Sequence, residues 1–229
     1  MPGIRIDHVV KVYKDSKRGI SETLEADLTI RQGEFVFVTG GPGSGKSTLM
    51  ELIAGEIEPD RGSVWLGGAE LSRLSRSELA RTRRDYLGTV LQDSELRRTE
   101  TVFKNLASTG GLEYLKDKLF NRPMIEKALS LVGMPGSAER RPTELTSSEC
   151  RRVELARAIW RSPSILVLDE LTERADDDTV WDMLHLLTAL NKRGTTVVFA
   201  SREGSYGSIL GKRVITLSAG KIVGDAHRS

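Results

Sequence analysis

One stretch of this 229-residue chain has the residue types and the spacing needed to hold a polyphosphate. Residues 40–48 read GGPGSGKST, which fits G-x-x-x-x-G-K-[ST] at every fixed position, after an apolar run and before a helical stretch. Glycines let backbone N–H groups curl around a β-phosphate, the lysine reaches the β- and γ-phosphates, and the serine hydroxyl ligates Mg²⁺. The motif therefore predicts a Mg²⁺·ATP site formed by Gly40, Gly41, Pro42, Gly43, Ser44, Gly45, Lys46, Ser47 and Thr48, with Ser47 as a metal ligand.

A second chemical signal is the carboxylate pair Asp169 and Glu170, which directly follows the apolar run 165–168. In open α/β sheets, ligands gather at the carboxyl ends of the strands. We expect Asp169 to hold Mg²⁺ through water and Glu170 to orient and deprotonate an attacking water. Two acids in this place also cap following segments in many proteins, but the accompanying phosphate loop favours the catalytic interpretation.

Strand and helix signals alternate along the chain without an internal repeat, which predicts an α/β fold with a mostly parallel sheet. Strand-like runs occur at residues 4–13, 24–30, 34–39, 63–66, 165–168, 196–200 and 213–217. Helical patterns occur at residues 48–55, 124–132, 148–160 and 179–192, and the stretch 96–161 is interpreted as a helical insert. The phosphate loop and the carboxylate pair each follow a predicted strand.

Composition restricts the class of protein. Hydrophobic residues make up 38% of the chain, and no apolar run approaches the length of about 20 residues that a membrane-spanning helix needs. The first residues lack the pattern of a secretory signal, and the single cysteine, Cys150, forms no internal disulfide. The missing apolar run and secretory signal lead us to expect a soluble cytoplasmic protein. A net charge of +2 argues against strong generic attraction to nucleic acid, so we expect no nucleic-acid partner.

Over nearly its whole length the chain resembles the ATPase subunit of ATP-binding-cassette (ABC) systems. The resemblance implies a P-loop NTPase fold with a RecA-like, mostly parallel sheet, an N-terminal antiparallel β subdomain and an inserted α-helical subdomain. It also implies a single domain, in which residues 1–95 and 163–229 form the nucleotide-binding core with its β subdomain and residues 96–162 form the helical subdomain.

Weaker motifs follow the family's order. Tyr13, in KVYKD, stands where the family places an aromatic that stacks on adenine, although a strand tyrosine alone is more often a packing residue. Gln92, in GTVLQDSEL, matches the glutamine loop that touches Mg²⁺ and the water. Residues 96–106 follow where relatives contact a membrane partner, and Asp176 matches an aspartate loop that reaches across the dimer. The pattern is most similar to the subfamily of lipoprotein release, macrolide export and cell division.

One segment departs from the family pattern. The family's Leu-Ser-Gly-Gly-Gln docks against the γ-phosphate bound by the other subunit of a head-to-tail dimer, and here residues 145–149 read LTSSE. Thr146 and Glu149 form a capping-box pattern, so we expect the helix start to survive. Ser147 and Ser148 replace the two glycines, and their side chains are predicted to restrict the close approach of a partner's nucleotide, while their hydroxyls are additional donors.

A second departure lies in TVVFASREGS, where relatives carry a histidine that contacts the γ-phosphate. Alignment of the strand puts Arg202 at that position, and none of His8, His185 and His227 falls there. An arginine can clamp a phosphate but cannot relay a proton. A solvent-facing arginine after a strand is the equal alternative. Leu171, where relatives usually have proline, is a milder departure.

Three functions are compatible with these residues. The favoured one is an ATPase, slowed by its altered segments, that couples ATP-dependent dimerisation to a transmembrane permease on the inner face of the cell membrane. The second is a catalytically weak ATP-binding regulator or the degenerate half of a heterodimer. The third is a soluble role on nucleic acid or ribosomes, but relatives with that role usually carry two cassettes or long insertions, which this chain lacks. The second ATPase subunit would be either an identical or a different chain, and the resemblance does not identify the cargo.

Overall fold

The computed structural model describes residues 2–15, 20–92, 95–111, 118–173, 175–202 and 205–226. The strands are β1 (Pro2–Asp15), β2 (Ile20–Arg31), β3 (Phe35–Thr39), β4 (Arg61–Leu66), β5 (Ala69–Glu70), β6 (Leu87–Val90), β7 (Ile165–Asp169), β8 (Thr196–Ser201), β9 (Arg213–Ser218) and β10 (Lys221–Ala226). The α-helices are α1 (Lys46–Ala54), α2 (Arg76–Tyr86), α3 (Val102–Ala107), α4 (Lys118–Leu131), α5 (Ser147–Ile159), α6 (Asp177–Lys192) and α7 (Ser205–Ile209).

All these strands belong to one sheet, in the order β5-β4-β1-β2-β10-β9-β3-β8-β7-β6. Parallel pairings join β9, β3, β8, β7 and β6, whereas antiparallel pairings join β5, β4, β1 and β2. Strand β10 connects the two blocks, because it pairs antiparallel with β9 and parallel with β2. The predicted fold class, a mostly parallel sheet with an N-terminal antiparallel part, is therefore confirmed.

The parallel block is buried on both faces. In β3, Phe35 and Phe37 belong to the hydrophobic cluster shared with α3 to α6, while Val36 and Val38 belong to the cluster shared with α1. A strand covered on both sides reads as a continuous apolar run rather than an alternating one, as FVFVT does. The phosphate loop that follows β3 is therefore anchored on a rigid, fully covered strand.

Three strands escaped the sequence analysis: β5, which is only two residues long, and the longer strands β6 and β10. Strand β6 is short and contains Gly88, where an added Cβ would lie 2.1 Å from the carbonyl oxygen of Ala158, so the glycine lets α5 pack against the strand. Strand β10 is largely exposed and has few apolar side chains. Both therefore lack the strong hydrophobic pattern that indicates a strand.

The stretch between β6 and β7 contains α3, α4 and α5, which pack on one another in the first of the two hydrophobic clusters. Helix α4 begins several residues before the predicted start and contains Pro123. The bounds 96–162 proposed for a helical subdomain stay a prediction. Within the described ranges, no helix combines the length and the apolar character needed to cross a bilayer.

Candidate active site

The phosphate loop connects β3 to α1 through a tight backbone path. An added Cβ at Gly40 would lie 2.3 Å from the carbonyl oxygen of Leu217, and one at Gly45 would lie 2.9 Å from the side chain of Leu24. Gly45 also has a φ of +99° at the position that precedes α1, a conformation that favours glycine. The close approach of the loop to its neighbours therefore depends on residues without side chains.

Lys46 lies across the loop. Its Nζ donates to the carbonyl oxygens of Gly40 and Gly41, at 2.8 and 3.1 Å. The buried Ser44 hydroxyl has no hydrogen-bond partner among the described residues. A positive charge, an unpaired hydroxyl and the start of α1 together fit a bound phosphate chain.

Asp169 ends β7 and is only 3% exposed. Burial raises the pKa of this carboxyl to about 6, and a hydrogen bond from Ser47 opposes the rise in part. Its Oδ1 has no hydrogen-bond partner in the described part of the chain. A buried carboxylate with an unpaired oxygen next to a hydroxyl fits a divalent cation such as Mg²⁺, which prefers oxygen ligands.

Glu170 follows directly and has a positive φ of +49°. Its N–H donates to the carbonyl oxygen of Ala200 at 3.0 Å. Its carboxylate accepts two hydrogen bonds from Arg202, from Nε at 3.0 Å and from a terminal nitrogen at 3.3 Å. The same guanidinium forms a 3.0 Å ion pair with Glu173. Sequence reasoning singled out Glu170 and Arg202 separately and missed both the pairing and Glu173.

A cleft of about 490 Å³ opens above the loop and collects most of the predicted site residues. Tyr13 lines it and is 41% exposed, which leaves the ring accessible to a ligand. Gln92 also lines the cleft, and the next two residues, 93 and 94, lie outside the described ranges. The predicted residues along the cleft are Tyr13, Pro42, Gly43, Ser44, Gly45, Lys46, Ser47, Thr48, Gln92, Glu170 and Arg202.

Four lining residues were not predicted: Thr23, Leu24, Ala219 and Gly220. The turn between β9 and β10 supports the phosphate loop, because the Gly220 N–H donates to the carbonyl oxygen of Ser44 at 3.1 Å. An added Cβ at Gly220 would lie 1.7 Å from the Thr23 carbonyl oxygen. The Ala-Gly pair before KIVGD was the available signal, but it indicates a turn and not a ligand.

The altered segment 145–149 lies at the start of α5. The Glu149 N–H donates to the Thr146 hydroxyl at 3.2 Å, and the Thr146 N–H donates to the Glu149 carboxylate at 2.7 Å. This reciprocal pair confirms the predicted capping box. Arg140 also donates to Glu149 at 2.9 Å, and the hydrogen bonds from Thr146 and Arg140 lower the pKa of that carboxyl.

Ser148 bonds to the aspartate loop of its own chain. Its hydroxyl donates to the Asp176 carboxylate at 2.5 Å and accepts from the Asp176 N–H at 3.1 Å. Asp176 in turn caps α6 through the Thr179 N–H at 2.8 Å. The hydrogen bond from Ser148, followed by those from Thr179, lowers the pKa of Asp176 to about 2. Ser148, at a position where the family has glycine, thus links α5 to α6.

The structure places the predicted site residues in two groups. Most of the phosphate loop, with Glu170 and Arg202, lines the cleft, whereas Gly40, Gly41 and the buried Asp169 are not part of its lining. In the part of the chain that the structure describes, the second group does not line that cleft: Thr146, Ser147, Ser148, Glu149 and Asp176. The second group instead lies where the helices α5 and α6 begin.

Comparison with known proteins agrees with this geometry. The sequence model of the family described as ABC transporter matches residues 24–173. The chain is 35% identical over 225 residues to the cell division ATP-binding protein FtsE of Mycobacterium tuberculosis, covering 98% of this chain and 96% of that protein. The FtsE of Bacillus subtilis is 34% identical, with 95% of each chain covered.

Further similarities extend to longer proteins and to solved structures. The macrolide export protein MacB of Chlorobaculum tepidum is 33% identical, and the match covers 98% of this chain but 34% of MacB. The dimeric structure of MJ0796, a bacterial ABC transporter cassette, superposes with a TM-score of 0.85 at 26% identity, covering 99% of each chain. A post-hydrolysis dimer of MJ0796 bound to ADP and phosphate superposes with a TM-score of 0.82.

Proposed function

Since the chain belongs to the ABC transporter family, we propose that it binds and hydrolyses Mg²⁺·ATP as the ATPase subunit of a membrane complex, coupling ATP-dependent dimerisation to a transmembrane permease. One observation carries the proposal. The phosphate loop with its lysine and Glu170, which directly follows β7, line the same cleft, the arrangement that ATP hydrolysis requires.

Each residue has a defined task in this proposal. Lys46 leaves the carbonyls of its loop to bind the β- and γ-phosphates, and Tyr13 stacks on the adenine. Ser47, Asp169 and Gln92 would hold Mg²⁺, Asp169 through water, and the bound cation would neutralise charge on the phosphates. The raised pKa of Asp169 is consistent with a buried carboxylate whose charge a bound cation would stabilise.

Glu170 serves as the general base. It accepts a proton from the attacking water as the new bond forms between the water oxygen and the γ-phosphorus, while the bond to the ADP oxygen breaks and phosphate is released. The ion pair with Arg202 occupies both carboxylate oxygens of Glu170. Hydrolysis is therefore slow until Arg202 is displaced, and Arg202 then stabilises negative charge on the transferred phosphoryl group.

A head-to-tail dimer explains the second group of residues. Thr146, Ser147, Ser148, Glu149 and Asp176 lie outside the cleft of their own chain, and in this proposal they contact the nucleotide of a second ATPase subunit. The dimeric MJ0796 cassette supports this assembly. The MacB relative, an ATP-binding/permease protein, supports a permease partner, which would keep the chain at the inner face of the cell membrane.

A second candidate function rests on the two intrachain bonds. Arg202 occupies the catalytic carboxylate, and Ser148 occupies the aspartate of the dimer-spanning loop. If both bonds persist when ATP binds, the chain is an ATP-binding regulator or the inactive half of a heterodimer.

Single-turnover hydrolysis separates the two candidates. We expect Glu170→Gln to lower the rate by at least about 100-fold, because the general base is lost, while Mg²⁺·ATP binding is preserved. The exposed Glu58→Gln is the matched control. Rates are measured on the purified chain with and without its copurifying membrane protein. If Glu170→Gln leaves the rate unchanged, the activity belongs to another protein and this chain is a regulator.

A further inference from the structure

Arg202 is shared by two carboxylates of its own chain. Glu170 accepts two of its N–H groups and has a side chain that is only 10% exposed. Glu173 accepts the third contact at 3.0 Å, and its side chain is 36% exposed. Arg202 itself is 56% exposed, and both acids raise its pKa, Glu170 most strongly. The guanidinium is thus held by one buried and one partly exposed carboxylate, and the same terminal nitrogen contacts both.

The position of the ion pair relative to two cavities is informative. Arg202 and Glu170 line the nucleotide cleft, and both also line a separate cavity of about 210 Å³. Glu173 lines this second cavity together with Thr172, Ser201 and Tyr206, and it does not line the nucleotide cleft. It also lines a third cavity, of about 470 Å³, on the side of α5. The Arg202–Glu170 pair therefore forms the wall between the cleft and the space on the side of Glu173.

Arg202 lines the same cleft as the phosphate loop, so the γ-phosphate of a bound ATP would be a third anion for its guanidinium. Guanidinium groups form strong, bidentate hydrogen bonds to phosphate oxygens, and such bonds compete well with a partly exposed carboxylate. ADP lacks that phosphate. A nucleotide can therefore draw Arg202 away from its two carboxylates only when it carries the γ-phosphate.

We propose that Glu173 is a positioning residue that holds Arg202 on Glu170 until the γ-phosphate of ATP takes the guanidinium, so that the catalytic base is released by ATP and not by ADP. This inference rests on the proposed function, because it requires ATP in the cleft and Glu170 as the base. Glu173 touches neither the nucleotide nor the water and acts only through Arg202.

The backbone of Glu173 is bonded to α5, the helix that begins at the altered segment 145–149. Its carbonyl oxygen accepts a hydrogen bond from Nε of Arg151 at 3.0 Å. Arg151 lies on α5, three residues after Ser148, whose hydroxyl holds Asp176. This bond ties the backbone of the residue that retains Arg202 to α5.

Equilibrium binding tests the proposal. The probes are the non-hydrolysable analogue adenylyl imidodiphosphate, which has a γ-phosphate, and ADP, each with Mg²⁺. We expect Glu173→Gln to tighten binding of the analogue by a factor of about two to five, the size expected for loss of one partly exposed ion pair. ADP binding stays unchanged. Glu139→Gln, which removes an exposed carboxylate paired with Arg122, changes neither affinity.

A double-mutant cycle tests whether Glu173 acts through Arg202. In an Arg202→Gln background, Glu173→Gln should have no further effect on the analogue. The single-turnover rate of ATP hydrolysis should rise in Glu173→Gln alone.

Three outcomes overturn the proposal: an unchanged affinity for the analogue, an equal shift for ADP, or an effect that persists without Arg202. If the parent chain binds neither nucleotide, the proposed function fails as well, so the two failures are distinguishable.

Discussion

The phosphate loop and the two altered segments use their polar groups in opposite ways. In the loop, the Ser44 hydroxyl has no partner among the described residues, and Lys46 donates to two carbonyl oxygens of the loop itself. In the altered segments, Ser148 and Arg202 are bonded to carboxylates of their own chain. The phosphate loop leaves its polar groups available to a ligand. Ser148 and Arg202, which stand where the family has a glycine and a histidine, are instead bonded within the chain.

This difference changes the meaning of the substitutions. The loss of two glycines and a histidine predicts only a weaker contact with the nucleotide. The structure shows that the replacements also couple parts of the chain, because Ser148 joins α5 to α6 and Arg202 joins the ends of β7 and β8. An ABC ATPase can thus be slow although its catalytic groups are present, because those groups are bonded to other residues of the same chain.

The largest effect is expected from Lys46→Ala. Loss of the ammonium removes charge-assisted hydrogen bonds to the phosphates, so Mg²⁺·ATP affinity should fall by about 10- to 100-fold. Calorimetric titration measures it, with the exposed Lys192→Ala as the control. Equal affinity in the parent and in Lys46→Ala would mean that residues 40–48 do not bind phosphate.

The next effect concerns Asp169→Asn, because burial raises the pKa of this carboxyl from its ordinary value of 3.8 to about 6. Between these values the folded protein binds the proton more tightly than the unfolded chain does. The free energy of unfolding therefore falls as pH rises through this window, by up to about 3 kcal/mol near pH 7.

Removing the charge should reverse this loss. Near pH 7 and without nucleotide, we expect Asp169→Asn to be more stable than the parent by about 1 to 3 kcal/mol, with no difference near pH 4. Urea denaturation at several pH values measures this, and Asp178→Asn is the exposed control. Mg²⁺·ATP should stabilise the parent but not Asp169→Asn. A pH-independent difference would contradict the assignment to this carboxyl.

Arg202→His should raise the single-turnover rate, by up to about tenfold, because it frees Glu170 and supplies an imidazole that both donates and accepts hydrogen bonds. The gain should disappear in a Glu170→Gln background. A lower rate in Arg202→His would show that the guanidinium speeds hydrolysis by stabilising charge on the phosphoryl group more than it slows hydrolysis by bonding to Glu170.

The smallest effect separates the two serines. Ser147→Gly restores clearance without disturbing Asp176, so ATP-dependent dimerisation should strengthen by a few-fold. Ser148→Gly also breaks the bonds to Asp176 and should lower the free energy of unfolding by about 1 kcal/mol. Analytical ultracentrifugation with ATP and thermal unfolding measure the pair. If the two variants behave alike, the Ser148–Asp176 link has no role.

Sequence patterns were informative wherever the chemistry is local. The phosphate loop occupies nine consecutive residues, and the Thr146–Glu149 capping box occupies four, so spacing alone indicated both. The apolar runs of β3, β7 and β8 were also recognisable, because strands buried on both faces lack polar interruptions. Strands β6 and β10 were missed, since one is short with a glycine and the other is exposed.

By itself the sequence determined that a phosphate loop and a carboxylate pair each follow a buried strand, because those features depend on neighbouring residues. Only the tertiary structure decided what Arg202 touches. Strand β7 lies beside β8 with Asp169 opposite Ala200, so Glu170 and Arg202, 32 residues apart, emerge at the same level of the sheet. No local pattern encodes that register, because it is set by the packing of two strands whose side chains are all buried.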